Sequence, residues 1–337
     1  MPSRPKLFMT REIPFPAAQR IAELFDVTVW REYRAPTKDE LIASARGADA
    51  LVTTLEDKVT CEVIEALAPR LRIIAQYAVG YDNVDLECAT RNGVYVTNTP
   101  GVLTEATADL TWALILAVAR RIVEADEYVR SGGWRQSGAA WHPTMMLGFD
   151  VYGKTIGIVG GGRIGQAVAR RARGFDMRIL YNSRRRHKEM EDLGAVYVDL
   201  ETLFRESDIV TIHVPLTPET QNLVGERLLR LMKRTAILIN TARGRVVDLD
   251  ALYRALSEGW IAGAGLDVFP EEPLDPSHPI AKLRNVVLTP HIGSATVETR
   301  SRMAELVLQN LEAFARGEVP PTLVNSEVVK VRRPGFG

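Results

Sequence analysis

Along the first hundred residues, short unbroken apolar runs take turns with stretches in which apolar positions recur every three or four residues. KLFMT (6–10), VTVW (27–30), ALVTT (50–54), RIIAQ (72–76) and YVTN (95–98) predict strands; PAAQRIAELF (16–25) and TKDELIASARG (37–47) predict helices between them. Alternation of this kind implies a parallel sheet with helices on both faces. A long helical pattern follows at 104–132, then a Gly/Trp/Pro-rich loop at 132–154. A second series of strands begins at Thr155: TIGIVG, RILYNS, DIVTIHV, AILIN, GAGLDV and NVVLTP. After Gly293 the pattern is helical again over 295–318, with Gly317 as its stop. PPTLVN closes the ordered part, and the tail from Ser326 is expected to fray at its end. Two α/β units joined by long helical segments are the result. Pattern alone leaves open whether the last helix returns to the first unit.

A length of 337 residues fits two domains, and 46% apolar residues are enough for sizeable cores. The 42 basic and 42 acidic residues cancel, which speaks against a nucleic-acid or polyanion partner. Cys61 and Cys88 lack any ligand spacing, so the expectation is small buried side chains, with neither a disulfide framework nor a zinc site. The opening MPSRPKLFMT lacks the apolar core of a signal peptide, and LTWALILAVA (110–119) is too short to span a bilayer. These features predict a soluble, cytoplasmic protein with no membrane partner.

Gly160-x-Gly162-x-x-Gly165 follows the strand TIGIV and opens the helix RIGQAVARRARGF. That strand–turn–helix context is what a dinucleotide cradle requires. The glycines allow a tight turn and close approach of a pyrophosphate, and the helix N-terminus offers free N–H groups. Where an NAD site usually places an acid, at the end of the next strand, this chain has Asn182, Ser183, Arg184 and Arg185. Hydroxyl and guanidinium donors suit a 2′-phosphate, so NADPH is the expected coenzyme, with NADH still possible.

Ligands of open α/β sheets bind outside the carboxyl ends of the strands. Three strand ends in the second unit carry distinctive side chains: Arg243 after AILIN, Glu271 and Glu272 after GAGLDV, and His291 after NVVLTP. A cation for a carboxylate, a carboxylate and a titratable imidazole on one crevice suit the reduction of a 2-oxo acid.

YAVGYDNVD, TPGVLTEATADLTWALIL, GKTIGIVGGGRIG, NTARGRVVDLDAL, GAGLDVFPEEP and LTPHIGSAT, in this order, resemble the D-2-hydroxyacid dehydrogenases over nearly the whole chain, and most closely their glyoxylate/hydroxypyruvate reductase branch. The resemblance implies an α/β fold of two Rossmann-like or flavodoxin-like parallel-sheet domains, the coenzyme domain inserted in the substrate domain. The expected boundaries are 1–101 with 294–337 for substrate and 102–293 for NAD(P). It implies that Arg243 clamps the substrate carboxylate, Glu272 partners the histidine and His291 is the general acid/base. It extends the coenzyme site from Gly160, Gly162, Gly165 and the 182–185 turn to Thr107, Arg163, Ile164, Pro215, Thr220, Thr241, Ala242, Asp267 and Gly293, with Arg243 and His291 bordering it. For the substrate it implies Leu55 as an apolar wall, Val79 and Gly80 as amide donors, and Trp141 as a cap on a partner subunit's pocket in a homodimer.

Formate dehydrogenases of the superfamily carry Gln where Glu272 stands, which disfavours that reaction. Phosphoglycerate dehydrogenases carry an arginine near Gln76, which favours a small unphosphorylated acid here. The alternatives are a D-lactate- or phosphoglycerate-type dehydrogenase and a dinucleotide-sensing co-repressor-like protein. Among the other histidines, His142 shares the Trp141 loop, His213 ends a strand beside the coenzyme, and His187 and His278 read as surface residues. No His/Cys cluster suggests a metal.

Overall fold

A computed structural model describes residues 4–337; the first three residues of the MPSRPKLFMT segment, and of the expected 1–101 stretch, lie outside the described residues. The chain divides into two compact units, residues 4–103 with 295–337 and residues 104–294.

The first unit is built on five parallel strands, β1 (Lys6–Met9), β2 (Asp26–Val29), β3 (Ala50–Thr53), β4 (Ile73–Gln76) and β5 (Tyr95–Thr97), in the order β2-β1-β3-β4-β5. β3, β4 and β5 are buried along their whole length, as unbroken apolar runs require. One face packs Leu7, Val52, Ile73 and Tyr95 against Ile21 of helix Ala17–Leu24 and Leu311 and Phe314 of helix Val297–Ala315. The other packs Phe8, Leu51, Ile74 and Val96 against Val63, Ile64 and Ala89. The last long helix therefore belongs to the first unit. Thr296 caps its start by accepting from the Thr299 N–H, and Gly317 stops it at φ 77°.

The tail does not fray as expected. Val328–Val331 forms a helical turn with Val328 buried, and Phe336 packs edge-on against Phe25 at 5.6 Å and Phe314 at 5.0 Å. An aromatic that fills a core face holds its backbone in place.

The second unit holds seven parallel strands, β6 (Thr155–Val159), β7 (Arg178–Asn182), β8 (Val196–Tyr197), β9 (Ile209–Ile212), β10 (Ile237–Asn240), β11 (Gly263–Leu266) and β12 (Val286–Leu288), in the order β12-β11-β10-β9-β6-β7-β8. The order reverses between β6 and β9, so the crevice at their carboxyl ends is the switch point at which such sheets bind ligands. The two-residue β8 is the one strand that the apolar pattern did not signal.

The expected continuous helix over 104–132 is two helices, Thr104–Ala119 and Ile122–Arg130, broken at Arg121, which takes a left-handed φ of 53°. The first is apolar almost all round because it is enclosed against the sheet. Gly263 and Gly265 of β11 leave it room: a Cβ on Gly265 would lie 3.0 Å from Leu114, and one on Gly263 2.9 Å from Val118.

Cys61 and Cys88 are joined in a disulfide with Cα atoms 5.4 Å apart, contrary to the expectation of two separate thiols. They open helix Cys61–Leu67 and lie in helix Leu86–Arg91, neighbours on one face of the first sheet. Linear spacing carries no information on that proximity.

Candidate active site

The glycine turn is formed as its sequence predicts. Gly160 has φ 110°, and a Cβ there would lie 2.4 Å from the His213 carbonyl oxygen. A Cβ on Gly165 would strike the Gly160 carbonyl at 2.0 Å, so the helix Arg163–Ala172 sits directly on the turn. Around Gly162, the N-cap, there is open space. Two glycines are thus consumed by packing, while the third leaves a clear approach to the helix N-terminus, as a pyrophosphate needs.

At the end of β7, Asn182 turns its amide to the Val198 carbonyl at 2.8 Å and Ser183 lies 3.2 Å from His187 Nε2. Arg184 and Arg185 are exposed. His187 is not the surface residue expected: a Cβ on Gly161 would lie 2.6 Å from its ring, so the imidazole lines the glycine turn itself. Thr220 ties its hydroxyl to the Pro215 carbonyl at 2.6 Å and receives the Thr217 N–H at 2.8 Å, closing the loop after β9.

The catalytic candidates gather on three neighbouring strand ends. After β10, buried Asn240 shapes the turn: its amide donates to the Arg243 carbonyl at 2.9 Å and its oxygen accepts from the Ala242 N–H at 3.0 Å. Arg243 is half-buried and donates to the Ala242 carbonyl at 2.8 Å. Thr241 meets Thr111 at 2.9 Å. Gly244 has the Phe269 main chain where a Cβ would stand, at 1.9 Å, so the Arg243 turn lies flat on the loop after β11. In that loop the Phe269 N–H donates to Glu272 Oε1 at 2.9 Å, and Glu272 Oε2 meets His291 Nδ1 at 2.6 Å. Each side chain of the pair keeps about a quarter of its surface accessible, 25% for His291 and 24% for Glu272.

His291 takes a left-handed φ of 54°, which costs energy for a residue with a Cβ. Asp267 holds it there. Its carboxylate, 1% exposed, accepts from the Thr289 hydroxyl (2.6 Å) and from the Ile292 and Gly293 N–H groups (both 2.8 Å), while the His291 N–H donates to the Asp267 carbonyl at 2.9 Å. Burial pushes the Asp267 carboxyl above the usual range, against those hydrogen bonds. Thr107 donates to the Gly293 carbonyl at 3.1 Å. Asp267, Thr107 and Gly293, expected as coenzyme contacts, are in the structure the fastenings of the histidine loop.

His213 follows β9 beside Gly160. Part of the residue is exposed, but both ring nitrogens are sealed without a hydrogen bond, and burial pushes the imidazole down to about 3. It is a neutral ring at the wall of the crevice. Sequence reasoning missed the structural roles of Asn240 and His187. Asn240 could have been found as an Asx residue before a turn; nothing in the sequence signals His187.

The remaining candidates lie elsewhere. Leu55 follows β3, and Val79 and Gly80 follow β4, all half-buried in the five-stranded unit. Trp141 is 77% exposed, and its neighbour His142 sits 2.9 Å from Thr144. Cys61, Cys88 and Glu65 bring three potential ligand atoms together, but the two sulfurs are bonded to each other. No helix among the described residues is long and apolar enough to cross a membrane.

Known proteins resemble this chain over nearly its whole length. The family model described as D-isomer specific 2-hydroxyacid dehydrogenase, NAD binding domain, matches residues 112–293. A protein of Korarchaeum cryptofilum named glyoxylate reductase is 61% identical over 334 residues, covering 99% of both chains. One of the same name from Thermococcus kodakarensis is 62% identical, covering 99% of this chain and all of the relative. The crystal structure of an NADPH-dependent glyoxylate/hydroxypyruvate reductase from Sinorhizobium meliloti, in complex with NADP and malonate, superposes with a TM-score of 0.84 at 36% identity, covering 97% of this chain and 98% of that one.

Proposed function

The chain belongs to the D-isomer specific 2-hydroxyacid dehydrogenase family, and from that premise we propose that it is a glyoxylate reductase, acting also on hydroxypyruvate, with NADPH preferred and NADH usable. The observation that carries the reading is the 2.6 Å pair of Glu272 and His291 on a loop locked against the Arg243 turn. Two relatives about 60% identical and named for this activity support it.

In this reading the Arg243 guanidinium grips the carboxylate and draws on the carbonyl oxygen of the oxo acid. Glu272 accepts the Nδ1 proton of His291 and leaves Nε2 for the substrate. The nicotinamide supplies the hydride to the carbonyl carbon. The proton on Nε2 passes to the carbonyl oxygen, which completes the hydroxyl of glycolate and leaves a neutral imidazole still bound to Glu272.

The unit of residues 104–294, expected as 102–293, is the coenzyme domain in this reading. Gly160, Gly162 and Gly165 with the Arg163 and Ile164 amides would hold the pyrophosphate. Asn182, Ser183, Arg184 and Arg185 would meet the adenosine end, and Pro215, Thr220, Thr241 and Ala242 would border the coenzyme. The unit of residues 4–103 with 295–337, expected as 1–101 with 294–337, is the substrate domain in this reading, in which Leu55 walls the oxo acid and the Val79 and Gly80 amides take its carboxylate. Gln76 is wholly buried with both ends of its amide bonded, so no cation stands there to meet a phosphate, in keeping with a small unphosphorylated acid.

The exposed apolar residues Ile122, Val123, Val129, Trp141, Leu147 and Tyr152, all from the coenzyme unit, support a homodimer, with Trp141 capping the partner's pocket. Sedimentation as a monomer at working concentration refutes that assignment.

Steady-state turnover with glyoxylate tests the function, and its absence with both coenzymes overturns it. Replacing Arg184 and Arg185 with Ala is expected to raise KM for NADPH about tenfold more than KM for NADH, since charge-assisted bonds to the phosphate are lost. A parallel rise of both constants, or a wild type that prefers NADH, removes the proposed NADPH preference.

A further inference from the structure

Two loops leave the carboxyl edge of the five-stranded sheet side by side, residues 54–60 after β3 and 77–85 after β4. The first carries Leu55, the second Val79 and Gly80. Asn83, in the second loop, is bonded to the first at two points. Its amide nitrogen donates to the Thr54 carbonyl at 3.0 Å and to the Asp57 carbonyl at 2.7 Å. Its amide oxygen accepts from Gln76 Nε2 at 2.8 Å. Gln76 in turn accepts from the Thr53 hydroxyl at 2.6 Å, which fixes the direction of its own amide. Buried Asp57 closes the far side of the first loop, taking the Thr10 hydroxyl at 2.5 Å, the Thr54 N–H at 2.6 Å and the Thr54 hydroxyl at 3.1 Å. Main-chain bonds from Val59 to Asn83 and from Asp85 to Val59, both 3.0 Å, run alongside.

Both amide protons of Asn83 are therefore spent on carbonyls of the neighbouring loop. Adjacent strand-to-helix loops need no such tie to exist. A planar amide with three bonds, one of them to a buried and equally committed glutamine, holds two loops at a set separation. Resting on the substrate roles given above to Leu55, Val79 and Gly80, we propose that Asn83, oriented by Gln76, is a positioning residue for the reaction. It sets the gap between the apolar wall and the carboxylate-binding amides, and so the length of 2-oxo acid that fits. It does not touch the substrate.

The test uses the full chain and three variants, Asn83→Ala, Gln76→Met and Leu55→Ala. Turnover and KM are measured with glyoxylate and with the longer pyruvate, along with NADPH affinity by fluorescence and the melting temperature. Asn83→Ala is expected to raise KM for glyoxylate about tenfold, the loss of two neutral hydrogen bonds. It is expected to lower the preference for glyoxylate over pyruvate and to leave NADPH affinity unchanged. Gln76→Met is expected to act in the same direction more weakly, and it carries the test if Asn83→Ala fails to fold. If Leu55→Ala raises KM while the other two leave KM and the preference unchanged, the brace is overturned and the substrate loops stand. If Leu55→Ala leaves KM unchanged as well, the reading of the loops falls, and the brace with it. Loss of turnover and NADPH affinity at unchanged KM marks general damage and also overturns the proposal.

Discussion

Each of the two sheets ends in loops fastened by a buried aspartate, and the two fastenings are built differently. Asp267, after β11, spreads its bonds over both oxygens: Thr289 and the Ile292 N–H on one, the Gly293 N–H on the other. Asp57, after β3, gathers Thr10 and Thr54 on a single oxygen and leaves the other buried without a partner. Burial pushes both carboxyls above the usual range. The difference follows from what each loop has to hold. The 289–293 loop contains His291 in a strained backbone state, and two main-chain N–H groups with the Thr289 hydroxyl, all on the Asp267 carboxylate, are the means of keeping it there. The 54–57 loop carries no such strain, and Asn83 shares the work from the neighbouring loop. A strained residue asks for a saturated anchor; an unstrained loop can be held by several partial ones.

The strongest challenge to this picture is His291→Ala. Turnover is expected to fall about 10²–10⁴-fold with NADPH binding retained, the usual loss when a general acid is removed. Near-normal rates would take the histidine out of the mechanism and leave Asp267 holding an ordinary loop.

The disulfide provides the next contrast, since it ties only the five-stranded unit. Reduction, or Cys88→Ser, is expected to destabilise that unit by roughly 3–4 kcal/mol, the chain-entropy value for a loop of this size. The cysteines lie 27 residues apart. Thiol titration of protein purified without reductant is expected to find no free thiol. Two reactive thiols, with no loss of melting temperature on reduction, would show that the bond does not form.

The aspartates themselves come third. Asp267→Asn puts an amide donor against an N–H and leaves buried groups unsatisfied, at a cost of about 1–3 kcal/mol, or roughly 5- to 150-fold in rate if the whole cost falls on the histidine geometry. Asp57→Asn keeps a carbonyl oxygen where the three bonds converge and removes a buried charge, which offsets the amide nitrogen it buries without an acceptor, so its net loss of stability is expected to stay below that of Asp267→Asn. Comparable losses in both variants, by turnover and by denaturant unfolding, would erase the distinction drawn here.

The most gradual effect, spread over several pH units, concerns His213. His213 is held near 3 in the folded state against 6.5 for the free side chain. Between those values the unfolded chain binds a proton that the folded chain does not. Stability is therefore full above pH 6.5 and lost as pH falls toward 3, by at most about 1.4 kcal/mol per pH unit from this group. His213→Phe is expected to flatten that slope in urea titrations between pH 6.5 and 4.5; an unchanged slope would mean that the ring is protonated in place.

Much of this was legible in the chain. Unbroken apolar runs between amphipathic stretches identify parallel strands because both faces of such a sheet are covered, and eleven of the twelve strands among the described residues were signalled in this way. β8 escaped because two residues carry no period. The glycine turn was legible because Gly160 and Gly165 answer to steric demands that only a missing Cβ meets. Arg243, Glu272 and His291 were legible as candidates because each lies within six residues of a strand's carboxyl end.

What the sequence by itself determined is thus the local chemistry: which segments pair, which turns need glycine, and which side chains stand at strand ends. What only the tertiary structure decided is which of those ends touch. Cys61 and Cys88 meet because two helices lie on one face of a sheet; the tail is ordered because Phe336 finds Phe25 and Phe314; the break at Arg121 lies inside an unbroken helical pattern. Asp57 and Asn83 read as ordinary polar loop residues, and Asp267 as a coenzyme contact alone, until the fold buries or encloses them. Period and propensity act over a few neighbouring residues, whereas burial, pairing and the cost of an unsatisfied polar atom depend on groups that the chain brings together from far apart.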